Sequence, residues 1–362
     1  MNRRHIAPLL LCAAGLLGSL AVSGTATADS SAHPPQGGHD DDDDNDVRVN
    51  RLVFPVTLSD GNSYSVVGYL YHEGKKVHNH LLQVVVHGAT YDHEYWDLPT
   101  IGGHEYSYAR SMAERGYNVL ALDLPGSGES SKPDGDFFGL AEAASSLHQV
   151  VVSLRTPSNP AGRGFGTIAL VGHSNGSVTA IYAQGTYGDA DALVTTGWVH
   201  GCRGLPVDPT DPLLGAALAT PYVTLPGFVR SAIFYAAPFA DPAVIAYDNT
   251  SLNNSMPRHQ FLDLLGVHGD ITARCANGTS TTLTRAQLVT APVLVQAGQL
   301  DLAIAPASIV NNAPTEQSFY GASSSVTVQV LPNIGHAFNA HTTNQQGWTQ
   351  IDGWLRHTLG HP

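Results

Sequence analysis

Six short strand-like runs constrain this chain more than any other feature of its sequence. They cover residues 81–86, 118–124, 167–171, 192–200, 291–297 and 325–331. Such runs are too short for buried helices, and nearly continuous apolar character means that both faces of a strand are covered, as in a parallel sheet. Helical spacing follows or separates them at 105–115, 140–154, 174–184, around 306–311 and at 346–359. Strands alternating with helices at this pitch predict a mostly parallel central sheet flanked by helices. Ahead of these, 51–58 and 64–71 flank Ser59-Asp60-Gly61-Asn62 and read as a hairpin. From Gly201 to about Leu288 the alternation lapses, which predicts an insertion over the carboxyl edge of the sheet.

The ends and the charge balance bound the setting. With 43% hydrophobic residues in 362, there is enough apolar surface for a sizeable core. A net charge of −13 argues against a nucleic-acid groove or an anionic membrane surface as the main partner. Arg3-Arg4 precedes an apolar run over 6–22 broken by Gly15 and Gly18, and Ala26-Thr27-Ala28 then fits a signal-peptidase site. Residues 1–28 are therefore expected to be a cleaved signal peptide, with no stable membrane insertion and a secreted or periplasmic product. Residues 29–46, with the run Asp40 to Asp44, read as a disordered acidic tail. The run lacks the alternating spacing and the glycine of a calcium loop. Cys12 leaves with the signal, so Cys202 and Cys275 remain as an even pair in an oxidising compartment, and a bridge is expected.

The chemistry gathers at the strand ends. Gly172-His173-Ser174-Asn175-Gly176 follows the run 167–171 and opens a helix, the strand–turn–helix context of a nucleophile elbow. A serine hydroxyl needs a base to take its proton and a carboxylate to orient that base. Asp301 follows the run 291–297, and His336 follows 325–331, so both fall on loops at the same edge as Ser174. His87-Gly88-Ala89-Thr90 ends the early strand 81–86. The N–H groups of Ala89 and Asn175 are the expected pair of donors for an oxyanion. Tyr91 and His173 are candidate pocket residues, and Tyr95 and Trp96 could either line a pocket or pack beneath the insertion. Asp123 is a lesser rival to Asp301, because Asp123 to Ser130 reads as a structural turn. His78 and His80, with His72 nearby, read as a solvated loop rather than a metal pair, and His200 as a core or loop histidine. No metal site is expected.

From 51 to 359 the chain resembles a secreted member of the α/β-hydrolase superfamily carrying a cap. The residues that carry this resemblance are His87-Gly88, the loop Asp123-Leu124-Pro125-Gly126-Ser127-Gly128-Glu129-Ser130, the elbow at Ser174, Asp301 and His336. The order serine, acid, histidine along the chain is that of the superfamily. Ser177 is a departure, standing where many members have a second glycine after the elbow. The resemblance implies an α/β-hydrolase core over 47–201 and 289–362, a cap or lid over 202–288, and no cofactor. It implies an esterase, lipase, lactonase, peptidase or related activity. A nucleophilic serine separates the chain from epoxide hydrolases and haloalkane dehalogenases, which use aspartate there. The expected reaction is hydrolysis of a small-molecule carboxylic ester through an acyl-enzyme, with amidase, peptidase, lactonase or acyltransferase chemistry as the alternative. Apolar residues of the insertion, among them Leu213, Leu218, Phe228, Phe234 and Phe261, are expected to roof a pocket for an acyl or aromatic group.

Overall fold

The computed structural model describes residues 46–74, 77, 81–200, 215–216, 218–266, 268, 284–303 and 313–362. The signal and most of the acidic tail, Cys202 and Cys275, His78 and His80, and the helix expected around 306–311 lie outside the described residues.

An eight-stranded sheet runs in the order β1-β2-β4-β3-β5-β6-β9-β10. The hairpin β1 (Val47–Thr57) and β2 (Ser63–Glu73) is antiparallel, and β2 joins β4 (Asn118–Asp123) antiparallel as well. All the rest is parallel: β3 (Leu82–Val86), β5 (Ile168–His173), β6 (Ala192–Thr196), β9 (Val293–Gly298) and β10 (Val326–Leu331). In β1, Leu52, Phe54 and Val56 turn inward while their neighbours face solvent, including Pro55, which an edge strand tolerates. The central strands β3, β4, β5 and β6 are buried along their whole length, as their uninterrupted apolar sequences require.

Side-chain alternation splits the core in two. Leu82, Val84 and Val86 of β3 pack with α2 (Leu140–Leu154) and α3 (Asn175–Tyr187) on one face. Val85 packs with α1 (Tyr108–Ala113) on the other, where the last helix α8 (Asn344–Leu359) also lies. Helices on both faces make a three-layer molecule and leave the carboxyl ends of the parallel strands for the site.

Two elements are shorter than their sequences suggest. The first helix starts at Tyr108, capped by the Ser107 hydroxyl accepting from the Arg110 N–H, so Glu105 and Tyr106 stay in the loop. Strand β6 stops at Thr196 because Gly197 takes φ +62°, turning the chain at the sheet edge.

Between β6 and β9 the described residues form a two-residue ribbon, β7 (Tyr222–Val223) with β8 (Met256–Pro257), and three short helices. These are α4 (Gly227–Phe234), α5 (Pro242–Tyr247), which runs on through a wide turn at Asp248–Leu252, and α6 (Arg258–Leu264). The segment packs on the loops that leave the sheet: the Asn254 N–H donates to the Thr90 carbonyl, and the Ala236 N–H to His341 Nε2. A helix α7 (Ala313–Phe319) precedes β10.

Candidate active site

Strand β5 ends in a turn so tight that its glycines are structural requirements. A Cβ on Gly172 would stand 2.5 Å from the Gly176 carbonyl oxygen, and one on Gly176 2.2 Å from that of Val86. Between them Ser174 adopts φ +52°, ψ −117°, a conformation that L-residues rarely take and that costs about 1–3 kcal/mol. The strain is held by neighbours on β6: the Ser174 N–H donates to the Thr196 carbonyl at 2.8 Å, and so does the Ser177 hydroxyl at 3.0 Å. Ser177 also accepts from the Thr196 N–H. The serine that departs from the superfamily pattern thus ties α3 to the end of β6.

Ser174, Asp301 and His336 come together from the ends of three strands. His336 Nε2 lies 2.9 Å from Ser174 Oγ, and His336 Nδ1 lies 2.9 Å from Asp301 Oδ2. All three side chains are buried. The two loops are locked side by side, since the Gln299 N–H donates to the Leu331 carbonyl and the Leu300 N–H to that of Ile334. Gly298 permits this approach, because a Cβ there would come within 2.5 Å of the Ile334 carbonyl oxygen. The Ala303 N–H donates to Asp301 Oδ1, so the carboxylate cannot swing away from the imidazole.

The Gly88-Ala89 turn lies against the nucleophile: a Cβ on Gly88 would sit 3.2 Å from that of Ser174. Asn175 opens α3, whose positive end faces the same spot. Neither the Ala89 nor the Asn175 N–H donates to a protein group among the described residues. His87 steadies the turn by donating Nδ1–H to the Gly88 carbonyl while Nε2 accepts from the Leu124 N–H. Burial lowers the His87 pKa, in keeping with a neutral ring.

The remaining candidates separate clearly. His173 is fully buried, stacks on Tyr95 at 4.4 Å and lies 5.1 Å from the His336 ring. Burial, followed by the neighbouring histidines, pushes its pKa well below the ordinary value. The Thr196 hydroxyl donates to the Gly172 carbonyl, so His173 Nδ1–H must be the donor to Thr196 Oγ1. Its Nε2 has no hydrogen-bond partner among the described residues. Tyr91 is buried and packs on Tyr95 and Phe234, whose ring in turn lies 5.1 Å from that of His336. Tyr95 and Trp96 are core residues, with Trp96 edge-on to Tyr108. Phe228, expected in the roof over the pocket, is 54% exposed.

Asp123 binds a different histidine. It accepts from the His93 backbone N–H and Nδ1 and from the Glu129 N–H. Burial alone would raise its pKa, but His93 and the backbone donors outweigh that and hold it low. A Cβ on Gly128 would strike this carboxylate at 2.2 Å, which accounts for the glycine in the loop. His200 is also away from the site, bonded to Glu316 and Thr284 in the core. Among the described residues, His259, Asp263 and His268, and Asp92, His93 and Asp123, are spaced closely enough to hold an ion. The second group is already engaged in the turn just described.

Several supports escape a reading of the sequence. Thr196 is a hub for His173, Ser174 and Ser177. His341 Nε2 accepts from the Gly335 N–H and so braces the loop carrying His336. Asn339 joins that loop to Tyr95 and, through Trp348 Nε1, to α8. Only the short distance of His341 and Asn339 from His336 along the chain could have drawn attention to them.

The sequence profile of the alpha/beta hydrolase family matches residues 83–344. No curated protein matches the chain. Solved structures with the same fold include an esterase from Exiguobacterium antarcticum, with TM-score 0.58, 15% identity, and coverage of 83% of this chain and 98% of that one. An enol-lactonase from Burkholderia xenovorans aligns with TM-score 0.57 and 14% identity over 83% of this chain and 99% of its own. An esterase from a Rhodococcus species aligns with TM-score 0.54 and 15% identity over 85% and 99%.

Proposed function

Because the chain belongs to the alpha/beta hydrolase family, we propose that it is an exported serine hydrolase that cleaves carboxylic esters through an acyl-enzyme. The observation that carries this reading is the continuous line from Ser174 Oγ through the His336 ring to Asp301, with 2.9 Å at each step.

In the proposed reaction Ser174 Oγ attacks the ester carbonyl while its proton passes to His336 Nε2. Asp301, hydrogen-bonded to Nδ1–H, orients the ring and stabilises the imidazolium. The carbonyl oxygen becomes an oxyanion, received by the N–H groups of Ala89 and Asn175; each such donor is worth about 100- to 1000-fold in turnover. Collapse breaks the C–O bond to the alcohol, which leaves with the proton from His336. Water then repeats the sequence on the acyl-serine and releases the carboxylic acid and free Ser174.

The substrate is read from what surrounds the nucleophile. Ala89 belongs to an apolar cluster with Val223, Met256 and Phe261 of the segment between β6 and β9. Phe234 adds aromatic surface beside His336, and Tyr91 packs on Phe234. These supports favour a small neutral ester with an apolar acyl or aromatic part, under a cap built from that segment. Export rests on the signal-like residues 1–28, and the Cys202–Cys275 bridge on the compartment they imply. No described helix is long and apolar enough to cross a membrane.

The test is a panel of para-nitrophenyl esters from acetyl to palmitoyl, given to residues 29–362 and to its Ser174→Ala variant. Hydrolysis that falls by about 10⁵-fold or more in the variant is expected, with the best chain length measuring the pocket. Absence of Ser174-dependent hydrolysis across the panel, from folded protein, would sink the ester reading and leave amides and lactones to be assayed.

A further inference from the structure

Thr90 stands out in the loop beside the nucleophile. It is a β-branched residue at φ +57°, where such side chains are seldom found. Its conformation is gripped from the segment between β6 and β9. The Thr90 carbonyl accepts from the Asn254 N–H at 2.9 Å and from Arg230 Nη1 at 3.3 Å, and its hydroxyl oxygen accepts from the same Nη1. Arg230 is in turn held by Asp248, through Nε to Oδ2 at 3.0 Å and Nη2 to Oδ1. Both side chains are wholly buried. The guanidinium lies 4.4 Å from the centre of the Tyr91 ring and 5.2 Å from that of Phe234, and Phe234 in turn lies against the His336 ring.

A buried ion pair is costly to form, and apolar side chains of similar volume pack at least as stably. Its forked geometry does offer something they lack, which is a fixed set of directed donors. Here two of those directions are spent on the carboxylate and one on Thr90, the residue that follows Ala89. We infer that Arg230, anchored by Asp248, is a positioning residue that clamps Thr90 in its left-handed conformation and thereby aims the Ala89 N–H at the oxyanion. The inference rests on the acyl-enzyme reading above. It adds that the segment over the sheet takes part in turnover by shaping the oxyanion site, besides covering it.

Three variants test this in the chain 29–362. Thr90→Val removes the hydroxyl acceptor and leaves the ion pair whole. Arg230→Met with Asp248→Asn removes both charges together, so neither is left buried alone. The third adds Thr90→Gly to that pair, since glycine holds a positive φ without a clamp. The clamp predicts that kcat falls by about 10- to 100-fold in the first two while KM stays within threefold. Affinity for a boronic acid that mimics the tetrahedral adduct should fall in step with kcat/KM, and the glycine variant should recover about tenfold. Wild-type kcat in folded Thr90→Val would overturn the clamp. So would a loss of kcat without a matching loss of boronate affinity, which is the pattern of a merely structural role. If the paired variant does not fold, Thr90→Val decides alone. Retention of activity by Ser174→Ala, measured alongside, would overturn the acyl-enzyme reading itself and this inference with it, and is read separately from either result.

Discussion

At the scale of single residues, the site combines a strained serine with a set of histidines in different electrostatic surroundings. His336 faces both a hydroxyl and a carboxylate, whereas His173 and His87 are buried with neutral partners. Burial lowers the pKa of both, and that of His173 strongly. In the unfolded chain a histidine takes up a proton near pH 6.5. The folded state resists that proton, so the stability associated with these rings is complete above pH 6.5 and is lost as pH falls below it. Each ring kept neutral contributes a slope of about 1.4 kcal/mol per pH unit in that range. His173→Gln should therefore give a shallower fall in urea stability between pH 6 and pH 5, with His87 still contributing in both proteins. An unchanged slope would show that His173 is not held neutral. Ser174, Asp301 and His336 could be picked out from sequence because each follows a strand-like run and lies near a glycine. Thr90 closes the His87-Gly88-Ala89-Thr90 strand end, but its grip by Arg230 could not be read, for the two meet across 140 positions and Arg230 belongs to no recognisable local pattern.

At the scale of elements, the turn from β5 into α3 concentrates the constraints. Gly176 packs on the carbonyls of Val86 and His87, so this helix start touches the end of β3 directly. Gly176→Ala must push backbone against backbone, with no flexible side chain to yield. It should destabilise the protein by about 2–3 kcal/mol in urea titration and depress turnover even where the variant remains folded. A wild-type midpoint and kcat would mean that α3 and β3 are less tightly coupled than their geometry indicates. The contrast with Gly353 is instructive, since a Cβ there meets nothing within 4 Å and alanine should be tolerated. Element positions are legible in the sequence where strand and helix periodicity is strong, as in α2, which spans Leu140–Leu154. They are less legible where a cap or a left-handed glycine ends the element, as at Ser107 and Gly197. Those ends are decided by single hydrogen bonds and dihedral angles, which periodicity does not report.

At the scale of the whole molecule, burial is uneven in a way that predicts how it opens. Strands β3, β4 and β5 are covered on both faces and paired on both edges. Strand β10 is an edge strand whose residues are mostly half-buried. The helices between β6 and β9 are short, of six to eight residues each. Native-state hydrogen exchange should find the slowest amides in β3, β4 and β5, with those of α4 and α5 exchanging through smaller openings. Equal protection in both regions would mean that the segment and the core open as one unit.

The sequence by itself determined the class of sheet, the hairpin at its start, the edge at which the candidate site gathers and the three side chains that meet there. Each of these follows from short-range information: apolar runs that only a covered strand can satisfy, and glycines where backbones must approach. Tertiary structure alone decided which aromatic residues pack as core and which histidine Asp123 engages. It also decided that Thr196, His341 and Asn339 brace the site, and that an arginine and an aspartate from the intervening segment grip the loop beside Ser174. The physical reason is that these are contacts between segments far apart in the chain. Their partners are chosen by how the layers close on one another, and a buried ion pair such as Arg230 with Asp248 is indistinguishable in sequence from two ordinary surface charges.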